Sequence, residues 1–341
     1  MRIAVLRPQV PFARGGAEIF TDRLVDELCA RGHEADLVSV PFKWYPGARV
    51  LTQAFLWRML DLDEADGRKI DLVVATKFPS YLVRHPDKRV WLVHQFRQAY
   101  ELDGTSLAQF GPSPEDRALR RKVQELDRIA LGEATRLFTT SRNVAARLEA
   151  STGFAAEVLP HPPQELAYRC DGYENFVLSV NRLDRAKRID LLIEAAAGEA
   201  GLEVVIAGDG PDRERLERLA RDRGLNGRTR FTGRVSEAEL ADLYARCLAV
   251  YYAPVDEDYG MVPLEAFLAE KPVLTTTDAG GPLEVVSDGA TGLVVTADAE
   301  AIAAALGWLR EHREEAAAYG RAGKAIAREV TWDRALARLL S

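Results

Sequence analysis

The residues best suited to chemistry fall in two short stretches of the second half of the chain. Asn181-Arg182-Leu183-Asp184-Arg185-Ala186-Lys187-Arg188 follows an apolar run and supplies cations that suit an anionic group without a metal. A solvated basic turn has the same composition. Pro254-Val255-Asp256-Glu257-Asp258-Tyr259-Gly260-Met261-Val262-Pro263-Leu264-Glu265 also follows an apolar run. Gly260 frees the backbone there, Pro263 suits the first turn of a helix, and Glu265 falls within that turn. Glu257 then suits hydrogen bonds from sugar hydroxyls, Glu265 suits a vicinal diol such as a ribose, and the amides near Met261 and Val262 suit a phosphate between them. An acid in a first helical turn is also favourable by itself, by up to about 1 kcal/mol, with no ligand.

Gly15-Gly16-Ala17-Glu18 sits after the first apolar run and opens an amphipathic stretch with Ile19, Phe20, Leu24, Val25 and Leu28 on one side. Glycines at a strand-to-helix turn let backbone amides approach an anion, and they serve a plain tight turn equally well. His94, in Leu92-Val93-His94-Gln95-Phe96-Arg97, ends another apolar run, where a lone histidine is ordinarily structural.

Several chemistries drop out. Nothing matches G-x-x-x-x-G-K-[ST], which removes P-loop ATPases and GTPases. Gly208-Asp209-Gly210-Pro211-Asp212-Arg213 resembles a dinucleotide fingerprint, but Arg213 stands at the third glycine and Pro211 interrupts it. Asp61-Leu62-Asp63 has the D-x-D spacing of a diphosphate-bound metal site, yet it closes an apolar stretch and reads as a solvated helix end. Histidines 33, 85, 94, 161 and 312 show no H-x-x-x-H pairing, so no metal is expected.

These residues need elements to hold them. Short apolar, β-branched runs alternate with amphipathic stretches, the pattern of parallel sheets flanked by helices. Strands are expected at Ile3–Leu6, Ala35–Val40, Asp71–Ala75, Val90–Val93 and Arg136–Thr140, then at Phe176–Val180, Glu203–Ala207, Thr229–Thr232, Leu248–Ala253 and Pro272–Thr276. Helices are expected in the second half near 187–197, 211–223, 236–246, 262–269 and 298–309. Leu159-Pro160-His161-Pro162-Pro163 suits neither helix nor central strand and begins a linker, so two doubly wound α/β units result. The tail Trp332–Leu340 is a last helix whose apolar face must pack on something.

A chain of 341 residues with 47% hydrophobic and 28% charged residues has the make-up of ordinary globular domains. Its net charge of −7 is uneven: residues 1–170 carry 24 Lys+Arg against 22 Asp+Glu, and residues 171–341 carry 21 against 30. Nucleic acid is therefore an unexpected partner. Cys29, Cys170 and Cys247 are odd in number and far apart, as in a reducing compartment. The first apolar run is too short for a signal-peptide core and no window is long enough to span a membrane, so a cytoplasmic location is expected. Residues 42–60 combine aromatics with Lys43, Arg49 and Arg58, which suits an ordinary core helix or an interfacial one. Arg117, Arg120, Arg121 and Lys122 form a second basic cluster. The charge split leads us to expect a lipid-linked or otherwise anionic partner on the first half, with peripheral contact to the cytoplasmic membrane face.

Taken together, Gly15-Gly16-Ala17-Glu18, Arg182 with Lys187, Gly208-Asp209-Gly210-Pro211, the Glu257-x7-Glu265 element and Gly280-Gly281-Pro282-Leu283-Glu284 through Asp288-Gly289-Ala290-Thr291-Gly292-Leu293-Val294 resemble the retaining glycosyltransferases of family 4, the glycosyl transferases group 1. The order and spacing match over nearly the whole chain, most specifically over 176–295. The resemblance implies a GT-B fold, with two Rossmann-like domains whose parallel sheets face each other across a cleft. It implies an acceptor-side domain over 1–165, with helix 329–341 packing back on it, and a nucleotide-sugar-binding domain over 172–328.

The activity implied is metal-independent retaining transfer of a sugar from a nucleotide-sugar such as a UDP- or GDP-sugar, with no cofactor, to a glycan, lipid-linked or small-molecule acceptor, in polysaccharide or glycolipid assembly. By the same resemblance Arg182 and Lys187 neutralise the leaving diphosphate, Glu257 meets the transferred sugar and His94 lies against it. Glu265 binds the ribose, Arg234 and Val235 lie where the base is met, and Gly15, Gly16, Glu18, Gly208, Tyr259, Gly260, Met261 and Val262 complete the donor site. Asn181 and Arg188 stand where glycines are frequent, and Asp258-Tyr259 replaces the more usual Gly-Phe. A GT-B nucleotide-sugar epimerase and a catalytically silent nucleotide-sugar-binding subunit are the alternatives. Loss of Lys187 or Glu265 is expected to cut kcat/KM with little movement of the thermal midpoint.

Overall fold

The computed structural model describes residues 1–12, 15–105 and 107–341. It divides into two compact units, Met1–His161 with Trp332–Ser341, and Pro162–Thr331. Among the described residues no helix is long and apolar enough to cross a membrane.

The first unit runs β1 (Arg2–Gln9), α1 (Gly16–Ala30), β2 (Glu34–Pro41), α2 (Ala48–Met59), a small hairpin of β3 (Glu64–Ala65) and β4 (Arg68–Lys69), β5 (Leu72–Lys77), β6 (Lys88–His94), α3 (Pro114–Gly132), β7 (Arg136–Thr139), α4 (Arg142–Thr152) and β8 (Glu157–Val158). Its sheet has the order β2-β1-β5-β6-β7-β8, all parallel. Strands covered on both faces are apolar at successive positions, which is why they read as runs and not as alternations. Ala4, Leu6, Val73, Ala75, Val90 and Leu92 pack with Val50, Ala54 and Trp57 of α2 and Val123 of α3. Ile3, Val5, Leu72, Val74 and Trp91 belong to a second cluster, with Phe20, Leu24 and Leu28 of α1. The C-terminal helix Trp332–Leu340 adds Trp332, Ala335, Leu336 and Leu339 to that second cluster, which accounts for its apolar stripe. Burying Leu336 and Leu339 contributes about 2 kcal/mol each.

The second unit runs β9 (Phe176–Val180), α5 (Ile189–Gly198), β10 (Glu203–Ala207), α6 (Arg213–Asp222), β11 (Thr229–Gly233), α7 (Glu237–Arg246), β12 (Ala249–Tyr251), α8 (Val262–Leu268), β13 (Val273–Thr276), β14 (Gly292–Val295), α9 (Ala299–Glu311) and α10 (Arg313–Glu329). Its sheet order is β11-β10-β9-β12-β13-β14, again parallel. Val177, Val204, Ile206, Ala249 and Tyr251 pack with α5, α6 and α9, while Phe176, Leu178, Val205 and Val250 pack with α7, α8 and Ala327 of α10. A capping box, Ser236 with Glu239, starts α7.

Strand β14 and helix α10 extend the expected set of elements. Helix α10 carries Gly320 and Gly323, which ordinarily weaken a helix by close to 1 kcal/mol each. Both are places of close approach: a Cβ on Gly320 would lie 1.9 Å from the Glu270 carbonyl oxygen, and one on Gly323 2.2 Å from the Phe267 ring. The two glycines let α10 lie directly against α8.

Candidate functional site

The strand order of the second unit reverses between β9 and β12. Loops leaving the carboxyl ends of those two strands therefore turn away to opposite sides, and ligands of open α/β sheets bind at such a point. The loop after β9 holds Arg182 and Lys187, and the loop after β12 holds Glu257 through Met261. Backbone hydrogen bonds lock these loops and the one after β13 together: Val255 N donates to Ala186 O at 2.8 Å, Asp256 N to Asp278 O at 2.9 Å, Glu257 N to Ala279 O at 2.8 Å and Gly281 N to Glu257 O at 2.8 Å. A Cβ on Gly281 would sit 2.6 Å from the Asp258 carbonyl oxygen, so that glycine is required by the packing.

At the centre, Lys187 Nζ is ion-paired with Glu257 Oε2, the two side chains being 19% and 17% exposed. Burial by itself would lower the Lys187 pKa, but the negative charge of Glu257 and the nearby Tyr252 outweigh it and raise it, so the ammonium stays charged. Lys187 Nζ also lies 5.6 Å from the centre of the Tyr252 ring. Arg182 is exposed and makes no ion pair among the described residues. Arg188 adopts φ 49°, the left-handed conformation that a glycine takes readily. Its guanidinium offsets that strain by donating to the carbonyls of Ala253 and Pro254 and to Asp278 at 2.7–2.9 Å. The loop thus keeps a glycine-like path with an arginine in place, and the side chain staples it to the ends of β12 and β13.

Glu265 is buried in α8, where its Oε2 accepts a 2.6 Å hydrogen bond from Tyr244 Oη. Burial pushes its carboxyl up, and the Tyr244 hydrogen bond opposes this. Helix α8 is carried by α10 through the close contacts of Gly320 and Gly323. Met261 and Val262 open the helix, and Gly260, at φ 80°, lies where a Cβ would meet Tyr252 at 2.8 Å. Half-buried Tyr259 precedes it. Gly208, at φ 130°, ends β10 so close to the first loop that a Cβ would lie 1.8 Å from the Asn181 carbonyl oxygen. Its amide donates to Gly233 O at 2.8 Å, which sets Gly208 beside the end of β11, where exposed Arg234 and half-buried Val235 follow. That places Arg234 and Val235 at the edge strand of the sheet, while Lys187 and Glu257 sit at its middle.

The first unit brings a separate group together at the carboxyl edge of its own sheet. Gly15 N donates to Glu18 Oε2 at 2.9 Å, closing the N-terminus of α1, and Glu18 Oε1 pairs with Lys77 Nζ at 2.9 Å. Gly15 and Gly16 are exposed at that helix end. Lys77, the last residue of β5, lies opposite His94, the last of β6, in the strand register. His94 is half-buried, with Nδ1 against the Gln95 carbonyl oxygen. Sequence reasoning passed over Lys77; its one signal is a cation closing an otherwise apolar strand.

Helix α2 has a buried face and an exposed one. Val50, Ala54 and Trp57 are buried, whereas Phe55 and Met59 are 67% and 69% exposed, beside exposed Leu56 and Arg49. Two of the four cations in the second basic cluster are paired, Arg120 with Asp103 and Lys122 with Glu125. Asp61 and Asp63 are exposed and line a surface cavity of about 450 Å³ with Arg58, Arg84, His85 and Glu133. Among the described residues no group of three His, Cys, Asp or Glu side chains is placed to hold a metal ion.

Residues 167–326 match the family model for glycosyl transferases group 1, so the second unit carries a domain of that kind. The chain is 32% identical over 270 residues to a D-inositol 3-phosphate glycosyltransferase of Mycolicibacterium paratuberculosis, a match that takes in 73% of this chain and 60% of that protein. It therefore spans about three fifths of the length of that relative. Over 176 residues it is 35% identical to a GDP-mannose-dependent alpha-(1-6)-phosphatidylinositol monomannoside mannosyltransferase of Mycobacterium tuberculosis, covering 48% of this chain and 46% of that one. Anabaena HepE, solved in complex with UDP-glucose, superimposes with a TM-score of 0.70 at 18% identity over 100% of this chain and 98% of its own. The fold is the α/β GT-B architecture, each unit built on a parallel sheet.

Proposed function

We propose that this chain is a glycosyltransferase that moves a sugar from a nucleotide-sugar to an acceptor, with the donor held by the second unit. The observation that carries this reading is the Lys187–Glu257 pair at the switch point, with Glu265 buried nearby in a glycosyl transferases group 1 domain. In this reading Lys187 and Arg182 stabilise the negative charge that grows on the leaving diphosphate, the work a metal ion does in other transferases. Glu257 accepts hydrogen bonds from the sugar hydroxyls, and Glu265 accepts them from the ribose diol. Gly208, Arg234 and Val235 bound the base, and Tyr259, Gly260, Met261 and Val262 line the phosphates. Gly15, Gly16, Glu18 and His94 present the first unit's edge to the sugars, His94 taking the sugar contact. Transfer proceeds with retention, the leaving phosphate helping to take the acceptor proton.

The acceptor side is the first unit, and its partner is a lipid-linked or otherwise anionic acceptor at the cytoplasmic membrane face. Phe55, Leu56 and Met59 form an exposed apolar stripe beside the cation Arg49, which suits insertion at an anionic bilayer surface. UDP-glucose, with which Anabaena HepE was solved, and GDP-mannose, on which the Mycobacterium tuberculosis relative depends, are the first donors to test, with inositol 3-phosphate as acceptor. Release of nucleoside diphosphate that depends on the acceptor and survives EDTA supports the reading, and an inverted anomeric product by NMR contradicts its stereochemistry.

A further inference from the structure

Asp127 lies fully buried in the middle of α3, and three donors from the loops of the sheet's carboxyl edge converge on its carboxyl group. Tyr81 Oη donates to Oδ1 at 2.8 Å, Tyr100 Oη donates to Oδ2 at 2.7 Å, and Gln95 Nε2 lies 3.4 Å from Oδ2. Among the described residues it forms no ion pair. A carboxylate so placed costs the fold several kcal/mol unless hydrogen bonds compensate, which makes what it holds informative.

What it holds is the pair of segments that carry Lys77 and His94. Tyr81 lies in the short turn after β5, in which Ser80 Oγ donates to the Lys77 carbonyl oxygen at 2.7 Å. Gln95 directly follows His94, its own carbonyl oxygen meets the His94 ring, and its Oε1 accepts from Ser151 Oγ of α4 at 3.0 Å. Tyr100 closes the turn that begins at Arg97, which Gln124 of α3 also grips through the Ala99 carbonyl oxygen at 2.8 Å.

We propose that Asp127 is a positioning residue: by gathering Tyr81, Gln95 and Tyr100 at one carboxyl group it sets the residue beside His94 and the turn behind Lys77, and so the geometry of this edge for transfer. The proposal rests on the reading that His94 acts at this edge. Burial raises the Asp127 carboxyl to about 7, against the hydrogen bonds of Tyr100, Tyr81 and Gln95. The groups facing it are those three, with the charges of Arg128 and Glu101 acting on Tyr100 from beyond. The ionised group accepts from all three donors, whereas the protonated one must itself donate to a neighbour, so one contact reverses and the grip on the segment changes near neutral pH.

The test compares Asp127→Asn, Tyr100→Phe and His94→Ala. It follows nucleoside diphosphate release from UDP-glucose and GDP-mannose against pH, and the side-chain amide resonance of Gln95 by NMR. The unaltered protein shows a step near pH 7 in both readouts. Asp127→Asn loses the step in both, with kcat lower by about tenfold to a hundredfold and the donor KM within about twofold. Tyr100→Phe keeps the ring, removes a donor and moves the step to higher pH. A merely structural Asp127 leaves the kcat step in place when it is replaced by Asn, which overturns the proposal, as does a Gln95 resonance that shows no step in the unaltered protein. His94→Ala with unaltered turnover overturns the reading of the edge instead, whatever Asp127→Asn does.

Discussion

Lys187 and Glu257, seventy residues apart in sequence, form an ion pair because the loops after β9 and β12 meet at the reversal of the strand order. Val255, two residues before Glu257, is hydrogen-bonded to Ala186, the residue before Lys187, so the backbone sets the pair as much as the charges do. A cation and an anion are thereby fixed side by side before any substrate arrives. Fixed dipoles and charges need no reorganisation as charge develops, which is where electrostatic stabilisation is largest.

Replacing Lys187 therefore has two effects. Lys187→Ala is expected to lower kcat/KM by about a hundredfold or more, through loss of a charge-assisted contact to the diphosphate. It also removes the cation from a mostly buried Glu257, and about 1–3 kcal/mol of stability with it. The sequence alone argues for a thermal midpoint that hardly moves; the ion pair replaces that expectation with a measurable fall, read by differential scanning calorimetry alongside the kinetics.

Glu265 allows affinity and folding to be separated. Glu265→Ala strands the buried Tyr244 hydroxyl, at a cost of about 1–3 kcal/mol. Glu265→Gln keeps an acceptor for Tyr244 and is expected to hold its thermal midpoint while the donor KM rises by about tenfold or more, because a neutral amide binds a diol more weakly than a carboxylate. Equal donor KM values for Glu265→Gln and the unaltered protein would remove Glu265 from the donor site.

The stability of the fold should depend on pH through Asp127. Its carboxyl rises from an ordinary 3.8 to about 7 on folding, so the folded state binds the proton more tightly than the unfolded chain does. The corresponding stability is fully present below pH 3.8, and is lost as the pH rises to about 7. It amounts to roughly 4 kcal/mol at most. In Asp127→Asn this loss is absent, so urea unfolding at about pH 5 and about pH 8 should differ less for the variant than for the parent.

The exposed stripe of α2 makes a separate prediction. Phe55→Ser with Met59→Ser removes apolar surface that is mostly exposed, so the fold is unchanged within about 1 kcal/mol. Flotation with vesicles containing phosphatidylglycerol at low salt should fall several-fold for the double variant. Equal flotation of variant and parent would move the acceptor surface elsewhere.

Motifs were legible where the backbone itself demands a residue type. Gly208, Gly260 and Gly281 sit where a Cβ would strike a neighbouring loop, and Glu265 sits in the first turn of α8 as its spacing from Pro263 suggested. What joins separated loops was not legible. The Lys187–Glu257 pair depends on strand order, the Arg188 staple depends on a side chain taking over a glycine's path, and Asp127 is one acid among several on an amphipathic helix until Tyr81 and Tyr100 close on it. Helix α10 escaped because Gly320 and Gly323 look like helix breakers until α8 is seen against them. Composition suits α2 to the core and to a surface alike, and the helix serves both with different faces.

The central claim is that the second unit holds a nucleotide-sugar through Lys187 and Glu265. Its most direct test is a thermal-shift panel of UDP, GDP, ADP, TDP and their common sugars, each with and without EDTA, run on the unaltered protein and on Glu265→Gln. A ligand that binds the folded state raises the midpoint by an amount that grows with the logarithm of its concentration over its Kd. The account predicts a rise with one nucleotide family, indifferent to EDTA and much reduced in Glu265→Gln; no rise with any nucleotide, or an equal rise in the variant, would contradict it.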